Sequence, residues 1–175
     1  MCAIRAQPQI DDAADAIGYK IEVSSTGPNS GYSVVAANAG LVYSYTVTGL
    51  TNGTSYQFRV SAVTAAGIGA ATEPVLATPA TTPSAPTALT TTPGDKFVTL
   101  GWVAPSSNGG SAITTYVVEQ STDGTSWSES LRTTALTATV TGLTPRVTYR
   151  FRVAAVNVVG TGSFSGIVSG VPSGP

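Results

Sequence analysis

Residues 48–69 read TGLTNGTSYQFRVSAVTAAGIG, and residues 141–162 read TGLTPRVTYRFRVAAVNVVGTG. Twelve of these 22 aligned positions are identical. The offset of 93 carries Leu50 onto Leu143, Tyr56 onto Tyr149, Val60 onto Val153, Gly67 onto Gly160 and, further on, Pro79 onto Pro172. A period that long is a small domain repeated, not the turn of a solenoid, whose units run to about 20–50 residues. Within each copy the apolar residues recur every second position. Tyr149, Phe151, Val153 and Ala155 alternate with Arg150, Arg152 and Ala154, as Tyr56, Phe58, Val60 and Ala62 alternate with Gln57, Arg59 and Ser61. That pattern is a strand with one dry face and one wet face.

Working outward, the same criteria predict strands over Phe97–Val103, Ile113–Ser121, Ser126–Thr133 and Ala138–Leu143 in the second copy. In the first they predict Ile17–Ser24, Tyr32–Ala37 and Tyr43–Leu50. Asn52-Gly53, Asn108-Gly109-Gly110 and Asp123-Gly124 mark turns between them, because glycine and asparagine tolerate the backbone angles that tight turns need. No segment carries a helical face, so the class is all-β. Between the copies lies Thr78-Pro79-Ala80-Thr81-Thr82-Pro83-Ser84-Ala85-Pro86. Three prolines in nine residues suit an extended connector, not a sheet interior. The expected organisation is a module over 1–79, a Pro/Thr linker over 80–86 and a second module over 84–175.

Bulk properties narrow the function. Of 175 residues, 42% are apolar and 10% charged, which is the reverse of a disordered composition. A formal charge of -1 gives no basic footprint for nucleic acid or for an anionic membrane surface. No apolar run approaches the roughly 18 residues needed to cross a bilayer, and the start has no apolar core of the kind an export signal requires. Histidine is absent, which removes the commonest general base and metal ligand. Cys2 is the sole cysteine, so no internal disulfide forms. The expectation is a non-enzymatic chain without cofactors.

The motifs Trp102-Val103-Ala104-Pro105, Tyr116-Val117-Val118-Glu119, Thr139-Val140-Thr141-Gly142-Leu143, Thr148-Tyr149-Arg150-Phe151-Arg152-Val153 and Ala155-Val156-Asn157 through Gly160-Thr161-Gly162 together resemble fibronectin type III domains. The resemblance covers nearly the whole chain. It implies two immunoglobulin-like β-sandwiches in tandem, with Trp102 filling the core from strand B. It also implies that Tyr149 is the corner tyrosine whose hydroxyl bonds back near Leu143, with Tyr56 and Leu50 matching in the first copy. Phe58 and Phe151 complete the expected core. The first copy departs at its beginning. Cys2–Pro8 falls opposite the Trp102 strand, with Ile4 or Arg5 in the place of Trp102, and nothing precedes it to supply the first strand, which Ser84–Leu89 provides in the second copy. A sandwich missing an edge strand leaves backbone groups open to pairing. The segment carrying Cys2, Ile4 and Ile10 is therefore expected to fold back over that edge or to dock on a neighbouring subunit.

Other candidates read as ordinary surface. Arg59, Arg150 and Arg152 form an outward row that an acidic or glycan ligand would suit, but Glu22 and Glu119 stand opposite Arg59 and Arg152 and pair with them across strands. Asp11, Asp12 and Asp15 lack the spacing of a calcium loop. Asn52-Gly53-Thr54 fits a glycosylation acceptor and equally a turn. The expected role is structural or adhesive. Modules of this kind are displayed outside cells, yet the chain starts with Met1 and shows no export signal, and virion proteins meet both conditions. The first expectation is thus a bacteriophage-type virion structural or decoration protein at the virion surface, contacting a neighbouring subunit of an assembly. The alternative is an extracellular spacer or adhesion pair from a secreted bacterial protein, such as a polysaccharide-degrading enzyme, whose partner is a cell-surface glycan.

Overall fold

The computed structural model describes the backbone of residues 2–5 and residues 15–174 in full, in two compact units, Met1–Ala80 and Thr81–Pro175. The first unit contains β1 (Cys2–Arg5), β2 (Ala16–Ser24), β3 (Ser33–Ala36), β4 (Ser44–Val47), β5 (Tyr56–Thr64), β6 (Gly67–Ala71) and β7 (Val75–Ala77). Strands β3-β2-β5-β6 form one sheet, with β7 also pairing β5, and β1 and β4 form the other. The alternation in β5 decides what is buried. Phe58 and Val60 lie opposite Val23 and Ile21 of β2, and these four side chains with Val47 make the core. Between them Arg59 stands opposite Glu22 on the outer face.

Among the described residues the second unit repeats the plan with one more strand. Its elements are β8 (Thr87–Gly94), β9 (Phe97–Val103), β10 (Thr115–Ser121), β11 (Ser128–Thr133), β12 (Thr137–Thr141), β13 (Tyr149–Asn157), β14 (Gly160–Phe164) and β15 (Val168–Gly170). One sheet is β12-β9-β8; the other is β11-β10-β13-β14 with β15 pairing β13. The core holds Val98, Leu100, Trp102, Tyr116, Val118, Val140, Leu143, Phe151, Val153 and Ala155. Among the described residues these are ten buried side chains against five in the first unit. Both units are all-β sandwiches, and among the described residues the first has no counterpart of β8.

Several strand boundaries differ from the sequence expectation by one to three residues, and the structure supplies reasons for some of them. The first strand of the second unit begins at Thr87, not Ser84, because the Ser84 amide donates to the Ser107 carbonyl (3.0 Å) and Pro86 is fully buried. β8 then runs on to Gly94 through Pro93, which an edge strand tolerates. The strand expected over Ala138–Leu143 stops at Thr141, since Gly142 turns at φ 73°, a conformation that costs any residue with a Cβ. Gly49 does the same after β4 at φ 74°. In the first unit the pairing of β1 with β4 sets Cys2 against Val47 and Ile4 against Tyr45, just as Val98 meets Val140 and Leu100 meets Ala138. Ile4 therefore holds the place of Leu100 and Arg5 that of Gly101, not that of Trp102. The Trp102 position falls on residue 6, outside the described residues.

The prolines that mark a connector sit differently from a free linker. The Thr81 amide donates to the Gly109 carbonyl (2.8 Å), and the buried Asn157 side chain donates through Nδ2 to the Thr81 carbonyl (2.7 Å) and the Asn108 carbonyl (2.9 Å). A Cβ on Gly109 would collide with the Thr81 carbonyl, so glycine is required there by contact as well as by its φ of 75°. Residues 81–86 are thereby stitched onto the loops at one end of the second sandwich.

Candidate interaction surface

The inward faces of both sandwiches are consumed by the cores, and the expected core residues lie there. Trp102, Leu143, Phe58 and Phe151 are buried, while Tyr149 packs partly buried against the second core and Leu50 and Tyr56 against the first. The Trp102 ring meets Tyr116 edge-on at 5.5 Å, a favourable arrangement of aromatic quadrupoles; burial raises the Tyr116 hydroxyl pKa. The corner tyrosines act as acceptors. The Tyr149 hydroxyl takes the Thr144 amide (3.2 Å) and the Tyr56 hydroxyl takes the Thr51 amide (3.0 Å), so each ring ties the turn before its own strand to the sheet. Cys2 and Ile4 lie in β1; Ile10, Asp11 and Asp12 fall outside the described residues.

The outer sheet faces carry the arginine row, and each cation is engaged. In the second unit Arg152 donates from Nε to Glu119 Oε2 (2.8 Å), and its guanidinium lies between the rings of Trp127 (4.2 Å) and Phe164 (4.1 Å). Arg150 donates to the Thr122 carbonyl (2.9 Å). In the first unit Arg59 donates to Glu22 Oε2 (3.0 Å) and stacks on Tyr32 at 3.9 Å, while Lys20 reaches Glu22 Oε1 (2.9 Å). The Lys20 ammonium, followed by Arg59, holds the Glu22 carboxyl below its ordinary value of 4.5 against the opposing effect of burial. The Ser126 and Thr125 amides and the Ser121 hydroxyl lower Asp123 in the same direction, because each bond favours the charged form. Sequence reasoning found the Arg–Glu pairs but missed Trp127, Phe164 and Tyr32. The available signal was an aromatic on each strand or turn flanking the arginine strand, out of phase with the core.

Most of the exposed apolar side chains are on loops and outer strands, with Ile17 near the start of β2 and Val103 at the end of β9 as exceptions. Val158 and Val159 are 81% and 50% exposed at the tip between β13 and β14. That tip is not loose: Asn157 Oδ1 accepts from the Val159 amide (2.9 Å) and the Gly160 amide (3.2 Å). In the first unit Tyr43 is 81% exposed before β4, beside a cavity lined by Tyr19, Ile21, Val42, Ser44, Tyr45 and Val60. Among the described residues no group of three or more His, Cys, Asp or Glu side chains is placed to hold a metal ion, and no helix is long and apolar enough to cross a membrane.

The model of the fibronectin type III domain matches residues 6–78 and 82–171. Human sidekick-1 is 45% identical over 71 residues, covering 39% of this chain and 3% of that protein. Chicken sidekick-1 is 42% identical over 73 residues, covering 40% and 3%. A crystal structure of titin domains superposes with a TM-score of 0.64 at 23% identity over 93% of this chain and 56% of that one, a likeness of fold. The chain thus spans only a few hundredths of the length of the sidekick-1 proteins it matches. These relatives are animal proteins and lend no support to the expectation of a bacteriophage or virion protein.

Proposed function

The chain belongs to the fibronectin type III family through both of its halves, and from that premise we propose that it is a non-enzymatic adhesion or structural module pair that binds protein outside the cell. The observation that carries this reading is the Val158–Val159 tip. Two adjacent valines stand in solvent on a loop whose backbone is fixed by the buried Asn157 side chain. Valine side chains on a loop already held cost little further to order, and binding sites gain from such preorganisation. Loops on a rigid scaffold are also where recognition concentrates. The outer sheet faces are poorer candidates for glycan or acidic ligands, since their arginines are already paired and stacked.

The test is adhesion itself. Beads coated with the full chain are scored for adherence to one another, to immobilised sidekick-1 and to a glycan panel, beside a variant carrying Val158→Asp and Val159→Asp. Adherence to protein that the variant loses, with its melting unchanged, supports the reading. Adherence to glycans alone, or adherence indifferent to the two substitutions, overturns it.

A further inference from the structure

The turn before β5 and the turn before β13 are held by the same three bonds. The Thr51 amide donates to the Tyr56 hydroxyl (3.0 Å), as the Thr144 amide does to that of Tyr149 (3.2 Å). The Thr54 amide donates to the Thr51 carbonyl (3.3 Å), and the Val147 amide to the Thr144 carbonyl (3.4 Å). The Gly53 amide reaches the Pro79 carbonyl (2.8 Å), and the Arg146 amide the Pro172 carbonyl (3.0 Å). Gly53 and Arg146 share a positive φ, 79° and 65°. Each of these bonds uses backbone or the corner tyrosine. The side chains at the second and fourth places of the turn take no part, and Asn52 and Thr54 stand where Pro145 and Val147 stand in the second unit.

The fold therefore asks for neither an asparagine nor a threonine at these places. Proline is the residue such a turn favours ahead of a positive φ, because its ring pre-sets the backbone angle. Pro145 supplies that and Asn52 does not. Residues 51–53 are exposed and Thr54 is half-buried. Three other asparagines have work within the fold: Asn38 Oδ1 takes the Gly40 amide (2.8 Å), Asn108 Oδ1 takes the Gly110 amide (2.9 Å), and Asn157 is bonded through both ends of its carboxamide. Among the described residues nothing bonds the Asn52 carboxamide or the Thr54 hydroxyl; the side-chain bonds nearest in sequence involve Thr51 and Ser55. Of the five asparagines in the chain, Asn52 alone has a hydroxyl residue two places on.

We propose that Asn52 is an N-glycosylation site. Its carboxamide Nδ2 attacks the anomeric carbon of an oligosaccharide carried on a lipid diphosphate. A C–N bond forms and the bond from that carbon to the diphosphate oxygen breaks. The lipid diphosphate leaves with the electron pair, and Nδ2 gives up one proton. Thr54 supplies the hydroxyl that the transferring enzyme reads two residues on, and Gly53 leaves the approach clear of an intervening side chain. Attachment removes nothing the turn depends on, since its three bonds involve neither side chain. Such acceptors are used in secreted chains, so the assignment rests on the extracellular part of the function proposed above.

The experiment sends the full chain, behind an added export leader, through the secretory pathway of animal cells. Asn52 is read by mass spectrometry in the secreted and the cell-retained chain alike, with Asn52→Gln, Thr54→Ser and Thr54→Val in parallel. The expected result is an oligosaccharide on Asn52, released by peptide N-glycanase with conversion of that residue to Asp. It is retained in Thr54→Ser and absent from Thr54→Val and Asn52→Gln. The Thr54→Val chain should melt with the enzyme-treated wild type, as Val147 serves the sister turn, so that loss of the glycan is not loss of the fold. An unmodified Asn52 in the wild-type chain overturns the proposal, and so does modification that persists in Thr54→Val. Bead adherence that fails while Asn52 is occupied overturns the adhesive reading and leaves this site standing; an unoccupied Asn52 beside normal adherence does the reverse.

Discussion

Replacing Trp102 by alanine removes the largest side chain of the second core, and the structure sets the size of the loss. Trp102 is 6% exposed. An aromatic of this kind buries about 150–250 Å², which at roughly 25 cal/mol/Å² is an upper bound near 4–6 kcal/mol. The edge contact with Tyr116 at 5.5 Å is lost with it. The indole Nε1 makes no hydrogen bond to another described residue, so the substitution strands no acceptor. The expected net loss is about 3 kcal/mol, at the lower end of the range for such truncations. For a domain of this size that lowers Tm by about 12–24 °C. Trp102→Phe, which keeps a ring and likewise strands no acceptor, should cost less than half as much. The assay is convenient because both tryptophans, Trp102 and Trp127, lie in the second unit. Fluorescence therefore follows that unit alone, and Trp127 remains as the reporter in the variant. A loss below about 1 kcal/mol would refute the reasoning, since no fully packed core indole is that cheap to remove.

Tyr149→Phe and Tyr56→Phe should each cost about 0.5–1 kcal/mol in denaturant melts, because the hydroxyl accepts the Thr144 or Thr51 amide and water takes its place only in part; an unchanged midpoint would remove the corner role. Glu22 titrates below its ordinary 4.5 in the folded state, so its contribution is complete above that value and is lost as pH falls through the lower folded pKa. The first unit should accordingly weaken on acidification below about pH 4.5, followed by tyrosine signals and circular dichroism, and Glu22→Gln should flatten that dependence. A slope identical in the variant would place the acid sensitivity elsewhere.

The strands with strict alternation were legible because burial of alternate residues is a property of the sequence itself. Tyr56–Thr64 and Tyr149–Asn157 announce both their face and their repeat, and the register that opposes Glu22 to Arg59 follows from the same phase. Strands β6 and β14 were not legible. GIGAA and GTGSF carry glycine where a strand pattern needs side chains, and their placement comes from pairing with β5 and β13. The edge strand was displaced by three residues because its start depends on Ser107, 23 residues away, which no local pattern reports. The stacking of Trp127 and Phe164 on Arg152 was hidden for a related reason. Both aromatics point away from the core, and an outward aromatic looks like surface until its neighbours across the sheet are known.

The two outer faces show why the arginine row is not the place to look for a ligand. Arg152 has both faces of its guanidinium covered by rings and an edge held by Glu119, so an incoming anion would have to displace contacts already made at short range. At the equivalent place in the first unit, Ala71 stands where Phe164 stands, opposite Ser61 as Phe164 is opposite Ala154. Arg59 is thus covered on one face only, by Tyr32. The difference is compensated from within: Lys20 occupies the register place of Val117 and supplies a second cation to Glu22. Lys20, Arg59 and Glu22 together keep one positive charge in excess, against none for Arg152 and Glu119, but both cations are held by short-range bonds to Glu22. An anion at either arginine would have to compete with these contacts, whereas Val158 and Val159 stand exposed on a loop already held by Asn157.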